Sequence, residues 1–325
     1  MGESLIMRSW IVFFASIFLA CTTLFVERFF GIDWDFHPDS VTYATKSLEM
    51  MGQVHDNFLV IFDTGHYYWM AILGMSVGWG IAFNMIFYSI TNVLLYNALS
   101  RLVFAKANLL LFSAFFVFVF NPYRLHLSTT ILKDTIIILF LTFLLLCRGR
   151  LLSLFLLFCW RVGVLLYLLI LVPRKWFYWI FIPLALLVAV NHAYIVEYAR
   201  NQDLADMQFR DFDLVPAFKE FGFLGTIMRM LMWPFFALTG VFAIVSPSIF
   251  FYPLAIGSLS SLVLCLFVVK HGGFLVWIQI IISMSLFAFF ATGFTTYIRY
   301  VYPVISLLPL FVMFHIQKNG HESKN

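Results

Sequence analysis

Charged residues are scarce in this chain: only 11% of its 325 residues are Asp, Glu, Lys or Arg, whereas 63% are hydrophobic. A soluble chain of this length could not cover so apolar an interior with so few charges. That scarcity excludes an ordinary water-soluble protein. The apolar runs recur along the whole chain at about the 20 residues that one bilayer crossing needs, and the sequence therefore predicts a multi-pass membrane protein.

Motifs for nucleotide-driven chemistry are also absent. The chain has no Gly-rich phosphate loop, no Gly-x-Ser-x-Gly and no His-Glu-x-x-His, so it does not encode a cytosolic ATP-driven engine. Its cysteines lie inside apolar runs without zinc or disulfide spacing: Cys21, Cys147, Cys159 and Cys265. We expect no metal, no cofactor and no nucleic-acid partner. The first apolar run lacks a convincing cleavage site, which favours a retained span over a signal peptide.

The polar breaks predict an all-α, polytopic protein of about ten spanning or half-spanning helices in one transmembrane domain over residues 1–325. Two long polar segments, residues 27–66 and 191–226, are predicted to be loops on one side of the membrane. Lys270 and His271 predict a turn between two further spans, over residues 253–269 and 274–291.

The distribution of charge predicts the orientation. Of the 16 acidic residues, 13 fall in those two loops, which hold only 5 of the 20 Lys and Arg residues. Short cytoplasmic loops collect Lys and Arg, so both acidic loops are expected to be extracytoplasmic and both termini cytoplasmic. Arg124, Lys133 and Arg299 then fall on the outer side, against the trend, and phosphate binding is an obvious reason for basic residues there.

Acidic and aromatic residues are interleaved in the first loop, as on a surface that binds a hydroxylated ligand. Asp39 follows a proline turn at the start of a predicted helix and is the leading candidate for a catalytic base, with Asp35 as a second candidate. Asp39 could instead only cap the helix, since Asp is among the best residues at that position.

Basic residues supply the candidate phosphate ligands. Arg161 interrupts the apolar run 151–172, and the cost of a charge at the bilayer centre favours two half-helices that turn there. Its alternative role is a structural pair with a buried carboxylate. Arg124, His126 and Lys133 follow the Asn121-Pro122 turn and could bind a diphosphate, although Lys133 could simply pair with Asp134.

These motifs resemble the GT-C class of membrane glycosyltransferases. The shared features are an Asp-x-x-x-Tyr loop after the first span (Asp39 to Tyr43), a surface helix, and an Asn-Pro turn before a span that starts with Asp. The break at Arg161 and the ending Arg299-Tyr300-x-x-Pro are similar to those of O-antigen and capsule repeat-unit polymerases. The chain departs from the class in being short and in lacking a soluble C-terminal domain.

The resemblance implies transfer of a sugar or glycan repeat unit from an undecaprenyl-phosphate or -diphosphate carrier to an acceptor hydroxyl. Asp39 would be the base, Arg161 and Arg299 would hold the phosphate, and Tyr43 and Tyr300 belong to the same motifs. The implied setting is the bacterial inner membrane, with membrane lipid, a chain-length regulator and a flippase as partners. Alternatives are a transporter or flippase of the lipid-linked glycan, which broken helices also suit, and a non-enzymatic scaffold.

Overall fold

The computed structural model describes residues 2–56, 64–103, 115–146, 150–161, 222–241, 251–290, 297–298 and 300–307, with a few isolated positions between 176 and 190. Every regular element in these ranges is a helix, which confirms the all-α prediction for this part of the chain. The chain divides into two compact units, residues 1–163 and 164–325. A single transmembrane domain over residues 1–325 stays a prediction.

The described part of the first unit consists of short and long helices joined by tight turns. In chain order they are α1 (Gly2–Phe29), α2 (Pro38–Asp56), α3 (Gly65–Ile72), α4 (Val77–Val103), α5 (Pro122–Ser128), α6 (Asp134–Leu146) and α7 (Arg150–Trp160). Helix α4 lies at the centre, because it packs against α1, α5 and α6, while α3 contacts α2 and α7.

Two of the described helices are long and apolar enough to cross a bilayer: Met7–Phe29 in α1 and Val77–Ser100 in α4. Shorter apolar helices cover Asp134–Leu146 and Leu151–Trp160 in the same unit. Large apolar side chains on α1, including Phe14, Phe18 and Phe25, are exposed on the protein surface. That surface suits lipid, because in a bilayer an exposed apolar face is solvated by acyl chains.

The described part of the first polar segment contains two helical elements before residue 57. A 3₁₀ turn covers Trp34–Phe36 and helix α2 follows directly. Helix α2 forms because its apolar and small residues recur at helical spacing: Ser40, Tyr43 and Ser47 are buried, whereas Lys46 and Glu49 are exposed. The prediction of a helix that starts near Asp39 is confirmed, and the placement of residues 27–66 outside the membrane stays a prediction.

The break at Arg161 is where the sequence predicts it. Helix α7 ends at Trp160, and the backbone N–H of Arg161 still donates to the carbonyl of Leu157 at 2.8 Å. Residues 162–175, which would form the returning half of the predicted hairpin, lie outside the described residues. Helix α6 begins at Asp134 and runs to Leu146, as expected for a span that starts with Asp after the Asn-Pro turn.

In the second unit, α8 (Gly222–Thr239) packs against α9 (Phe251–Phe290). Helix α8 continues through Pro234 and ends at Thr239, followed by Gly240, whose φ of +67° is a backbone conformation that favours glycine. The predicted turn at Lys270 and His271 is wrong, because α9 is continuous there. Its 40 residues extend about 60 Å, about twice the hydrocarbon thickness of a bilayer. Residues 300–307 are also helical.

Candidate functional site

The turn between α1 and α2, together with the first turn of α2, holds the two candidate catalytic carboxylates. Asp33 begins it, since Asp33 Oδ1 accepts from the backbone N–H of Trp34 at 2.6 Å and pairs with Arg28 at the end of α1. Asp35 follows within the 3₁₀ turn and is exposed, while Asp39 lies in the first turn of α2. The turn therefore presents two carboxylates at the end of an apolar helix of bilayer length.

A chain of hydrogen bonds, here named the histidine chain, anchors this turn to α5. It consists of Glu27, His126 and His37. His126 Nδ1–H donates to Glu27 Oε1 at 2.8 Å, and the Nε2 atoms of His126 and His37 lie 2.7 Å apart. All three residues are buried or nearly so: His37 is 2% exposed and His126 is 6% exposed, and the side chain of Glu27 is 14% exposed. A polar chain this deeply buried is stable only because its members satisfy one another.

The loop that follows α5 is held by side chains from three other elements. Thr129 Oγ1 donates to Glu27 Oε2 at 2.5 Å. Asn84 of α4 donates to the carbonyls of Thr130 and Leu132, and His66 Nε2 donates to the carbonyl of Ile131 at 2.7 Å. Each of these three consecutive carbonyls thus receives a side-chain donor, which fixes the backbone between the histidine chain and the start of α6.

A buried ion pair joins the start of α6 to the end of α7. Arg161 Nη1 donates to Asp134 Oδ1 at 2.9 Å, and both side chains are almost inaccessible, at 7% and 2% exposure. Asp134 also lies in the first turn of α6, where the helix dipole favours a negative charge. Arg161 thus pairs with a buried carboxylate, which is the alternative, structural role that the sequence predicts for it.

His66 lies beside this ion pair and is held neutral. Complete burial lowers its pKa to about 3, a desolvation effect to which the charges of Lys133 and Arg161 add and which Asp134 and the Ile131 carbonyl oppose. The ring of Tyr43 contacts the imidazole edge-on with centroids 4.4 Å apart.

The close approach of α3 to α7 explains this burial. Gly65, the residue before His66, lies so near the end of α7 that a Cβ atom there would come within 2.8 Å of the Trp160 ring and 2.9 Å of the Cys159 carbonyl. Only glycine fits that contact.

Arg124 has structural contacts deep in the unit. Its Nη1 donates to Asn92 Oδ1 at 3.1 Å and to the Phe118 carbonyl at 2.9 Å, and its guanidinium lies 3.5 Å from the centroid of the Phe118 ring. Asn92 in turn donates to Ser16 of α1 at 3.1 Å. Arg124 therefore links α5 to α4 and, through Asn92, to α1, and it is 3% exposed.

The structure brings together only part of the predicted site. His126 lies next to the turn of Asp35 and Asp39, and Arg161 lies near His66 and Tyr43. Lys133 is half-buried at the start of α6. Tyr300 lies in the second unit, with its ring 6.4 Å from that of Phe287. Arg299 lies outside the described residues.

Sequence reasoning missed three residues that the structure brings forward. In the sequence, Glu27 is only the first residue of a polar segment and His37 one of its ring-bearing residues, yet both belong to the histidine chain. Arg229 is the third: it is buried on α8, with its guanidinium 4.9 Å from the Trp233 ring. A basic residue inside an apolar run marks Arg229 in the sequence in the same way as it marks Arg161.

Comparison with known proteins adds no identification. No family model matches this chain, and no curated protein and no solved structure is significantly similar to it. Across the described residues, no group of three or more His, Cys, Asp or Glu side chains is arranged to hold a metal ion. The functional argument therefore depends on the geometry of the first unit.

Proposed function

We propose that this chain is an integral membrane glycosyltransferase that uses a polyprenyl-phosphate-linked sugar or glycan repeat unit as donor. The acceptor is a hydroxyl of a growing surface polysaccharide, such as O-antigen or capsule. The proposal includes about ten spanning or half-spanning helices in a bacterial inner membrane, with the first polar segment on the outer side. One observation carries it: the buried histidine chain fixes a turn bearing two carboxylates at the end of a helix of bilayer length.

A rigid carboxylate at this position suits the chemistry. A general base must be held within hydrogen-bond reach of the acceptor hydroxyl, and a group positioned by locked neighbours loses little entropy on binding its substrate. The backbone of Asp39 is fixed by the first turn of α2, two residues after the buried His37. Asp35 is the exposed second candidate on the same turn.

The leaving phosphate needs a compensating positive charge in the transition state. In the proposal Arg161 supplies it, with the Asp134 carboxylate setting the direction of the guanidinium. The guanidinium has five N–H donors, so it can bind a phosphate oxygen in addition to Asp134. Arg299, Lys133, His126 and Tyr300 remain proposed contributors on the basis of the resemblance. No nucleotide is required, because the carrier lipid bears the activated bond.

The experiment compares Asp39→Asn with Glu49→Gln, a matched loss of one carboxylate on the exposed face of the same helix. Purified protein is given a polyprenyl-diphosphate-linked glycan in detergent, and new glycosidic bonds are measured without an ion gradient. We expect Asp39→Asn to reduce turnover at least about 100-fold, the lower range for loss of a general base, and Glu49→Gln to leave it unchanged.

Normal turnover by Asp39→Asn at normal protein level would remove Asp39 from the mechanism, and loss in Asp35→Asn instead would transfer the role to that residue. Wild-type protein that moves the lipid-linked glycan across vesicles but forms no bond would replace the proposal with a flippase.

A further inference from the structure

The histidine chain is built to hold a mobile proton. A carboxylate only accepts hydrogen bonds, so the Nδ1 atom of His126 carries the proton shared with Glu27. The Nε2 atoms of His126 and His37 lie 2.7 Å apart, a distance that requires one proton between them. In the neutral pair, His37 Nε2–H donates to His126 Nε2.

The pair accepts one additional proton without a conformational change. If His37 gains a proton at its other ring nitrogen, the shared proton can move to His126, and the imidazolium then lies against the Glu27 carboxylate. Opposite charges in such contact stabilise one another strongly where water is excluded. Thr129 Oγ1 holds the second carboxylate oxygen at 2.5 Å, which keeps Glu27 in place.

Aromatic rings pack against both imidazoles of the chain. The ring of Phe36 meets those of His37 and His126 edge-on, with centroids 5.2 Å and 5.9 Å away, and Tyr123 stacks on His126 at 6.4 Å. The charged groups on the elements that form the chain are Glu27 and Arg28 at the end of α1, Asp33 and Asp35 in the turn, Asp39 at the start of α2, and the buried Arg124 of α5, two residues before His126.

The histidine chain ends at the turn that carries the proposed base. The carbonyl of His37 accepts from the backbone N–H of Ser40 at 2.9 Å, and this bond closes the turn that includes Asp39. Asp39 is therefore two residues from His37 in the same hydrogen-bonded turn.

We propose that Glu27, His126 and His37 form a proton relay that takes up the proton which Asp39 removes from the acceptor hydroxyl. This inference rests on the proposed glycosyl transfer. The acceptor O–H bond breaks and a C–O bond forms at the anomeric carbon, while the C–O bond to the carrier phosphate breaks and its electron pair leaves with the phosphate. The proton passes from Asp39 to the histidine pair and is released to water before the next cycle.

The spacing favours a shared proton over a shared metal. Two histidine nitrogens on one tetrahedral zinc lie about 3.3 Å apart, from Zn–N bonds of about 2.0 Å, whereas these Nε2 atoms are 2.7 Å apart. The described residues also include no third ligand grouped with them. Metal binding is therefore an outcome that the experiment must be able to detect.

The test uses full-length protein in detergent and the isosteric variant Glu27→Gln, which keeps an acceptor for His126 Nδ1–H but removes the charge. The first measurement follows the ¹⁵N signals of His37 and His126 against pH. The second is the pH profile of kcat and KM for glycosyl transfer. Glu49→Gln is the control, since it removes one carboxylate from the exposed face of α2, outside the histidine chain.

We expect the two histidines to titrate as one coupled pair in the wild type, and the pair to release its proton at lower pH in Glu27→Gln. That variant should lose about 10- to 100-fold in kcat with KM unchanged, and the acid limb of its profile should move to lower pH. Glu49→Gln should keep the wild-type profile.

Independent titration of the two histidines, or an unchanged profile in Glu27→Gln, would overturn the relay. Displacement of both signals by stoichiometric Zn²⁺, with loss of turnover in chelator, would replace it with a metal site. A wild-type protein that transfers no sugar would contradict the proposed function and the use of the relay in it, while coupled titration would still support the proton pair itself.

Discussion

At the scale of single residues, His66 shows how burial decides protonation. Its Nε2–H donates to the Ile131 carbonyl, and its Nδ1 has no hydrogen-bond partner among the described residues. A charged imidazole would need a second acceptor at Nδ1 and would face the nearby positive charges of Lys133 and Arg161. The neutral form therefore persists well below the pH at which an exposed histidine is protonated.

This pKa makes stability depend on pH. The folded pKa of His66 is about 3 and the unfolded value is 6.5, so the unfolded chain binds a proton that the folded chain refuses. The stability is fully present above pH 6.5 and is lost as pH falls towards 3. At pH 5 we expect the free energy of unfolding to be about 2 kcal/mol lower than at pH 6.5, since each pH unit below 6.5 costs about 1.4 kcal/mol.

The measurement is the free energy of unfolding in detergent between pH 7 and 4, for wild type and His66→Gln. The glutamine side chain cannot titrate and can still donate to the Ile131 carbonyl. The free energy of unfolding of the variant should therefore fall less between pH 7 and 5 than that of the wild type, by about 2 kcal/mol. Identical slopes in the two proteins would show that His66 is not the group responsible.

At the scale of elements, the Asp134–Arg161 pair connects the first turn of α6 to the end of α7. Removal of one member of a buried pair leaves an uncompensated charge and costs about 3–5 kcal/mol. We expect Asp134→Asn and Arg161→Gln each to lower the unfolding free energy by that amount. The double variant should lose much less than the sum, because neither side chain is then charged.

The double variant also separates the two roles of Arg161. Unfolding curves establish that it folds, and the glycosyl-transfer assay then asks whether the guanidinium is needed in a folded protein. Lost turnover supports phosphate binding, whereas full turnover leaves the pair a purely structural role. Additive stability losses would instead show that the two residues do not interact.

Local patterns predicted the elements that local chemistry controls. The start of α6 at Asp134 follows from an apolar run after an Asn-Pro turn, and the end of α7 at Trp160 follows from the cost of placing Arg161 in an apolar helix. The continuous backbone of α9 was missed, because polar residues at Lys270 and His271 interrupt a hydropathy profile without breaking backbone hydrogen bonds.

The histidine chain could not be predicted, for a different reason. Its members come from the end of α1, the turn before α2 and helix α5, and His37 and His126 are 89 positions apart. Neither helical periodicity nor a spacing motif relates residues at such a distance. Only packing of α5 against α1 brings them together, and a single sequence gives no measure of that contact.

At the scale of the whole molecule, orientation in the membrane decides whether the site meets lipid-linked sugars at all. Helix α1 includes a 23-residue apolar stretch, Met7–Phe29, which extends about 35 Å and can span a hydrocarbon core of about 30 Å. The histidine chain and the turn of Asp39 lie at its C-terminal end. If the N-terminus is cytoplasmic, as the distribution of Lys and Arg predicts, that end is extracytoplasmic.

Cysteine labelling tests this orientation. In a background without the four native cysteines, Glu49→Cys places a thiol on the exposed face of α2, and Lys324→Cys places one near the C-terminus. A membrane-impermeant maleimide should label Glu49→Cys in intact spheroplasts and Lys324→Cys only after permeabilisation. The reverse pattern would put Asp39 on the cytoplasmic side, where the proposed transfer to surface polysaccharide could not take place. The proposal requires α2 and Lys324 to lie on opposite sides of the membrane. Equal labelling of both cysteines before permeabilisation would therefore contradict it.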